Sequence, residues 1–336
     1  MPARSSRPRG SAARSPAPTG RTRWSAPALP SVSEPASVRE AAAALREAAA
    51  SRHCVSIGRG GGDVCLSTRR LDRIVEHEAG DLTATVEAGI RLSALAAELA
   101  PHRQMLALDP PGDPTVGACV AANLSGPRRH RYGTARDLVL GVTVVLADGT
   151  VVSSGGKVVK NVAGYDLGKL LCGSLGKLGL IARVSLRLHP RPPSARTLVV
   201  PVESASGAQH AAAAVHRSTL VPSAVDLLWP GGLALLLEGS ERAAAAELVR
   251  AEELLGGAED GEIWRAVAER QLASKGRTSF PPGKLEAVLE AHPQALVRVG
   301  AGVAYLPGPA PDPRPEAVRR LAERIRSEFD PTSVLV

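Results

Sequence analysis

Three stretches of this sequence place glycines where chemistry would need bare main chain. The first is Arg59-Gly60-Gly61-Gly62, directly after a short β-prone run from Cys54 to Ile57. Glycines permit positive φ and leave backbone N–H groups uncrowded, which suits an anion such as a phosphate. No Gly-Lys-Ser/Thr follows, and the spacing is not Gly-x-Gly-x-x-Gly, so neither the P-loop nor the Rossmann fingerprint applies. A plain tight turn would use the same residues. The second stretch is Thr115-Val116-Gly117-Ala118, where Thr115 can cap a helix whose first N–H groups and positive dipole end face outward. The third lies in GGKVVKNVAGYDLGKLLCGSLGKLGLI, residues 155 to 181, with seven glycines, four lysines and one acid, Asp166. Gly164, beside Tyr165 and Asp166, marks one close approach. Gly173, Gly176 and Gly179 recur every third residue across a helix-to-strand junction. Three such loops in one region point to an extended ligand with a pyrophosphate, such as a dinucleotide, lying along backbone amides.

Other chemistries are less well supplied. Cys54, Cys65, Cys119 and Cys172 form no Cys-x-x-Cys pair, so neither an iron–sulfur cluster nor a structural zinc site is encoded locally. Buried, reduced thiols in a cytoplasmic protein are expected instead. Arg128, Arg129 and His130 in a loop, and His292 and Arg298 further on, are the candidate cations and bases. Each reads as an ordinary surface residue, and no catalytic residue is assigned.

The loops need elements to hold them. Ser37-x-x-Glu40 is a capping box ahead of an Ala-rich helix to about Ala50. Leu71 to His77 and Leu82 to Ala88 read as strands about the turn at Ala79-Gly80-Asp81. Leu92, Leu95, Ala96 and Leu99 make one apolar helix stripe that Pro101 ends. DLVLGVTVVLADGTVVSS turns at Asp148-Gly149 as a hairpin. Tyr165 to Cys172 forms a short helix and Leu178 to Leu188 a strand. HPRPPSAR, residues 189 to 196, breaks the pattern and marks a domain boundary. Beyond it, strands at Thr197–Val202, Ala224–Trp229, Leu233–Glu238 and Leu296–Tyr305 alternate with helices at Ala208–His216, Glu241–Leu255 and Pro315–Phe329. That alternation reads as an antiparallel sheet covered by helices.

Bulk properties fit two domains in 336 residues, with 44% hydrophobic and only 2% aromatic side chains. The cores must therefore be built from Ala, Val and Leu. The net charge of +8 suggests nucleic acid, but six arginines in residues 1 to 30, with no acid among them, account for most of it. The remaining residues are nearly balanced, and no nucleic-acid partner is expected. Residues 1–34 read as a disordered basic tail without the apolar segment of a secretory signal. No apolar run is long enough to span a membrane.

The segments RGGG, LDPPGDPTVGACVAANLSG and RYGTARDLVLGVTVVLADGTVVSSGGKVVKNVAGYDLGKLLCGSLGKLGLI resemble the FAD-binding domain of the p-cresol methylhydroxylase and vanillyl-alcohol oxidase (PCMH/VAO) type. GGKVVKNVAGYDL is specific to the branch that holds the FAD-binding subunit of bacterial glycolate oxidase. The resemblance covers roughly residues 37 to 190 and is loose beyond. It implies an α+β protein: a two-part FAD-binding domain at residues 35–190, then a smaller antiparallel-sheet-plus-helices cap at 191–336. It implies cofactor contacts from Arg59, Gly60, Gly61 and Gly62; from Pro111, Thr115, Val116, Gly117, Asn123 and Gly126; and from Arg131, Tyr132, Gly133 and Asp137. Gly164, Asp166, Gly173, Gly176, Gly179 and Ile181 complete the set. With Asp63 rather than a histidine after the glycines, FAD is expected to be noncovalent. The resemblance further implies an FAD-dependent oxidoreductase acting on the CH–OH group of a small 2-hydroxy acid. Its partners would be a second flavoprotein subunit and an iron–sulfur subunit, with cytoplasmic placement or docking to the inner membrane face through them. The segment after Gly62 and the cap are short for this family, which keeps open a noncatalytic FAD-binding or scaffold subunit of such a complex.

Overall fold

The computed structural model describes residues 31–58, 61–156, 166–310 and 314–336. Its first layer is small: β1 (Ser31–Ser33), α1 (Val38–Ala50), β2 (Val55–Ile57) and β3 (Val64–Leu66), with β1 and β2 both parallel to the central β3. Ser37 caps α1 as expected, its side chain accepting from the Glu40 N–H, but the Glu40 carboxylate reaches back to the Ala36 N–H and the Ser37 hydroxyl rather than to the Ser37 N–H, so the box is not fully reciprocal. Ala41, Ala42, Leu45 and Ala48 turn one face of α1 inward.

The second layer comprises β4 (Ile74–Glu78), β5 (Thr83–Glu87), α2 (Leu92–Leu99), β6 (Gln104–Met105), α3 (Val116–Ala122), α4 (Arg129–Tyr132), α5 (Ala135–Leu138), β7 (Val139–Val145), β8 (Val151–Gly155), α6 (Leu167–Leu171), β9 (Leu180–Arg187) and β10 (His189–Pro190). A five-stranded antiparallel sheet runs β4-β5-β9-β7-β8. Both of its faces are covered. Val144, Ile181 and Val184 pack against the core of α2, α3 and α5, while Val145, Leu180 and Ala182 pack against α1, β2 and β3. The β7–β8 hairpin turns at Asp148-Gly149 as expected, with the Asp148 carboxylate accepting from the Thr150 N–H and hydroxyl.

The cap follows as β11 (Ser194–Val202), α7 (Ala205–Arg217), β12 (Ala224–Trp229), β13 (Gly231–Gly239), α8 (Glu241–Leu255), β14 (Ala258–Glu259), α9 (Ile263–Ala273), β15 (Gly276–Ser279), α10 (Leu285–Ala291), β16 (Ala295–Arg298) and β17 (Val303–Leu306). Its antiparallel sheet runs β14-β11-β13-β12-β16-β17-β15. α7, α8 and α10 cover one face through the larger apolar cluster. α9 packs on the sheet through a separate cluster of Ile263, Trp264 and Val267 with Leu296, Val303 and Tyr305.

Two expectations need correction. Leu296–Tyr305 is not one strand: Gly302, at φ +59, reverses the chain so that β16 and β17 pair antiparallel. The cap also does not run to residue 336. After α11 (Glu316–Phe329) the chain returns to the first layer, where Val55 donates to Val334 O at 2.7 Å and Val336 donates to Val55 O at 3.0 Å. Asp330 is buried and its carboxylate accepts from the Val334 and Leu335 N–H groups at 2.9 and 2.7 Å. The final residues thus satisfy the open edge of β2 and bury Leu335 completely. Among the described residues, no helix is long and apolar enough to cross a membrane.

Candidate functional site

The three glycine loops converge. β2 leads into Gly58, at φ +68, and Gly61 sits at φ +143; a Cβ on either would meet no heavy atom within 4 Å. Main chain is therefore open at these two glycines. Gly62 differs, since a Cβ there would lie 2.6 Å from Cys54 O. Asp63 is turned back on the strand, accepting from the Cys54 N–H at 2.8 Å. Arg59 and Gly60 lie outside the described residues, as does Gly164.

The third loop ties the other two together. Gly173 N–H donates to Val120 O at 3.0 Å and Leu175 N–H donates to Ala121 O at 2.8 Å, both at the end of α3. A Cβ on Gly176 would lie 3.3 Å from that of Ile57. Asn123 ends α3 in the left-handed conformation beside Gly173. The Asn123 Oδ1 and Ser174 Oγ are both buried without a hydrogen-bond partner. Buried polar atoms are nearly always paired, so two orphans at the meeting point of three loops mark a place where a polar ligand fits. Open glycines on one side and orphaned polar atoms on the other are compatible with a flavin nucleotide.

The second loop behaves otherwise than expected. Thr115 does cap α3, accepting from Ala118 N–H at 3.2 Å. However, Val116 N–H donates to Ile90 O at 2.9 Å and Gly117 N–H to Ala88 O at 2.7 Å. The first donors of the helix are consumed inside the protein rather than offered to an anion. Gly117 makes this possible, because a Cβ there would lie 2.8 Å from both the Cβ and the carbonyl oxygen of Ala88. Gly126 likewise crosses Asp109 at a distance no side chain permits. Gly179 packs against Val144 and Val145, and Ile181 is buried in the sheet.

Arg131, Tyr132, Gly133 and Asp137 act as a brace. Asp137 accepts from Thr134 N–H at 2.8 Å and from its hydroxyl at 3.0 Å, closing a capping box on α5. The Arg131 guanidinium lies over the Tyr132 ring, whose edge meets His189 at 4.9 Å between centroids. Asp166 caps α6, accepting from Lys169 N–H at 3.1 Å.

α4 then carries the first domain onto the cap. Arg128 donates through Nε and Nη2 to Glu238 Oε1 at 3.1 and 2.6 Å, and its N–H bonds to the Asp109 carboxylate. Burial pushes the Asp109 carboxyl up, with Arg128 opposing. His130 packs into the turn at Gly300, and burial lowers its pKa. Arg298 is not a surface residue, as its sequence context suggested. It is 1% exposed and pairs with Asp226 at 2.7 Å. Burial pushes the Asp226 carboxyl up to about 6, with Arg298 pulling the other way. Gln271 of α9 spans the junction, donating to Ser125 O at 3.0 Å and accepting from Arg298 Nη2. A cavity of about 280 Å³ opens between the domains, lined by Asp109, Pro111, Arg128, Trp264, Val267 and Gln271 among others. His292 stays half-buried at the rim of a separate proline-lined hollow. Sequence reading missed Asp226, Glu238 and Gln271. The legible signal was a charge inside an apolar strand, as in AVDLLW and ALVR. Among the described residues, no group of three or more His, Cys, Asp or Glu is placed to hold a metal ion.

Fold and loops together define a two-layer domain followed by an α+β cap. Residues 30–155 match the family model described as the FAD binding domain. The chain is similar to the glycolate oxidase subunit GlcE of Escherichia coli (strain K12), 36% identical over 62% of this chain and 59% of that one. It is also similar to the glycolate oxidase subunit GlcD of Bacillus subtilis (strain 168), 32% identical over 50% of this chain and 36% of that one. D-lactate dehydrogenase [cytochrome] 1, mitochondrial, of Saccharomyces cerevisiae is 32% identical over 47% and 27%. The chain thus spans less than two thirds of each of these relatives. Among solved structures, alkyldihydroxyacetonephosphate synthase shares the fold, with a TM-score of 0.67 at 14% identity, covering 90% of this chain and 75% of that one.

Proposed function

We propose that this chain is an FAD-dependent oxidoreductase subunit of a glycolate oxidase-like complex, with a small 2-hydroxy acid as substrate. The observation that carries this reading is the convergence of three loops on orphaned polar atoms, beside a domain junction lined with arginines. FAD would be held noncovalently. Gly58 and Gly61 would admit its pyrophosphate along bare main chain, and Asn123 and Ser174 would give its polar groups their missing partners. Bound there, the flavin supplies the two-electron acceptor for dehydrogenation of a CH–OH group. The chain's own contribution is to bind, orient and exclude water: α4 and α9 close the junction, and its arginines favour an anionic substrate. Electrons would pass to a second flavoprotein subunit and an iron–sulfur subunit. The likeness to subunits GlcE and GlcD supports such an assembly.

A second reading, a noncatalytic FAD-binding subunit, draws support from two junction arginines that already carry carboxylate partners, Arg128 on Glu238 and Arg298 on Asp226. One experiment separates the two. The purified protein is expected to show flavin absorbance, and anaerobic glycolate or D-lactate is expected to bleach it. Flavin that no hydroxy acid bleaches, with or without the partner subunits, favours the noncatalytic subunit; absence of flavin removes both readings.

A further inference from the structure

We propose that Arg129 of the first domain and Arg298 of the cap form a subsite for the substrate carboxylate, with Tyr305 between them. This inference rests on the 2-hydroxy-acid reading above.

The two guanidiniums belong to one connected group. Arg129 Nη1 donates to Ser125 Oγ at 3.1 Å, Gln271 donates to Ser125 O at 3.0 Å, and Gln271 accepts from Arg298. The Tyr305 ring lies 5.2 Å from the Arg298 guanidinium carbon, and its side chain contacts Arg129 as well. From β15, Arg277 faces the same spot. Against these cations stand two carboxylates. Asp226 bonds to Arg298, and Asp109 bonds to the Arg128 N–H. Among the described residues, Arg129 has no carboxylate within ion-pair distance.

Like charges held together in a half-buried place cost free energy unless an anion joins them. Burial, and then the Arg298 and Arg277 charges, push the Arg129 guanidinium below its ordinary pKa, in keeping with a missing counter-ion. The unpaired atoms describe the ligand further. Arg298 Nε is a buried donor without an acceptor, and Asp226 Oδ1 a buried acceptor without a donor. A 2-hydroxy carboxylate supplies both complements, through its carboxylate oxygens and its hydroxyl. The junction cavity lies next to this cluster rather than within it: Gln271, which bonds to Arg298, and Arg128, which precedes Arg129, both line it.

The test uses the full-length protein and oxalate, an anion with no oxidisable CH–OH group. Calorimetry on wild type should show binding. Arg129→Met should weaken it at least tenfold, about 1.4 kcal/mol, with flavin content unchanged and a melting temperature no lower than that of wild type. Arg129→Lys should recover part of the loss, restoring the charge without the planar fork. Wild type that ignores oxalate, or Arg129→Met that binds it as tightly as wild type, overturns the subsite. The two proposals fail differently. If oxalate binds through Arg129 but no hydroxy acid bleaches the flavin, the subsite stands and the oxidase reading falls. If glycolate reduces wild type and Arg129→Met with the same half-saturating concentration, the oxidase reading stands and the subsite falls.

Discussion

Gly176 rests against Ile57: a Cβ built on the glycine would lie 3.3 Å from the isoleucine Cβ, at a φ of +82°. That contact joins the loop after α6 to the end of β2 and so closes the ring of glycine turns. Gly176→Val puts a β-branched side chain both into a left-handed backbone and into the gap. Such strain costs about 1–3 kcal/mol. The variant is expected to melt lower and to purify with less flavin per chain than wild type. Gly261→Ala, where a Cβ meets nothing within 4 Å, serves as the control and should match wild type on both counts.

The ion pair between Arg128 and Glu238 crosses from the first domain to the cap, and the Glu238 side chain is only 2% exposed. Glu238→Ala leaves Arg128 with Asp109 alone. A loss of about 2 kcal/mol in unfolding free energy is expected, within the range for a hydrogen bond to a charged group. Urea titration measures it. Faster hydrogen exchange in α4 should accompany the loss, since that helix carries the junction.

Leu335 is fully buried beside β2, although it lies almost 280 residues further along the chain. Leu335→Ala should cost roughly 2–5 kcal/mol, as for other core truncations. Exchange at Val55 to Ile57 should rise with it, because the terminal strand protects that edge. Unchanged protection there would mean the strand pairing contributes little.

Burial pushes the Cys119 thiol up to about 12 and the Cys172 thiol up to about 11. Alkylation requires the thiolate. At pH 8 iodoacetamide should therefore leave both unmodified in the native protein and modify both in urea, as peptide mass spectrometry would show. Rapid native labelling at Cys119 would place α3 in a more open packing.

Much of this protein was legible because the relevant signals are short in range. Ser37 and Thr115 cap helices by bonding a donor three residues on. The turn at Asp148-Gly149 needs its own carboxylate and a glycine at φ +81. The positions of the glycine loops followed from residue type in the same way. Less legible were α9, β15 and α10. α9 buries a single side chain, Val267, so its apolar stripe is too thin to announce a helix.

Local rules in the chain thus decided where it turns, which faces are apolar and which segments lack side chains, since each depends on a few neighbouring residues. Tertiary structure decided what those segments are used for. The N–H groups of Val116 and Gly117 look free in sequence and are taken by Ile90 and Ala88. Arg298 reads as a surface residue and becomes the partner of Asp226 inside the cap. Whether a donor stays free or a charge is buried depends on which distant segment arrives beside it, and no local pattern carries that information.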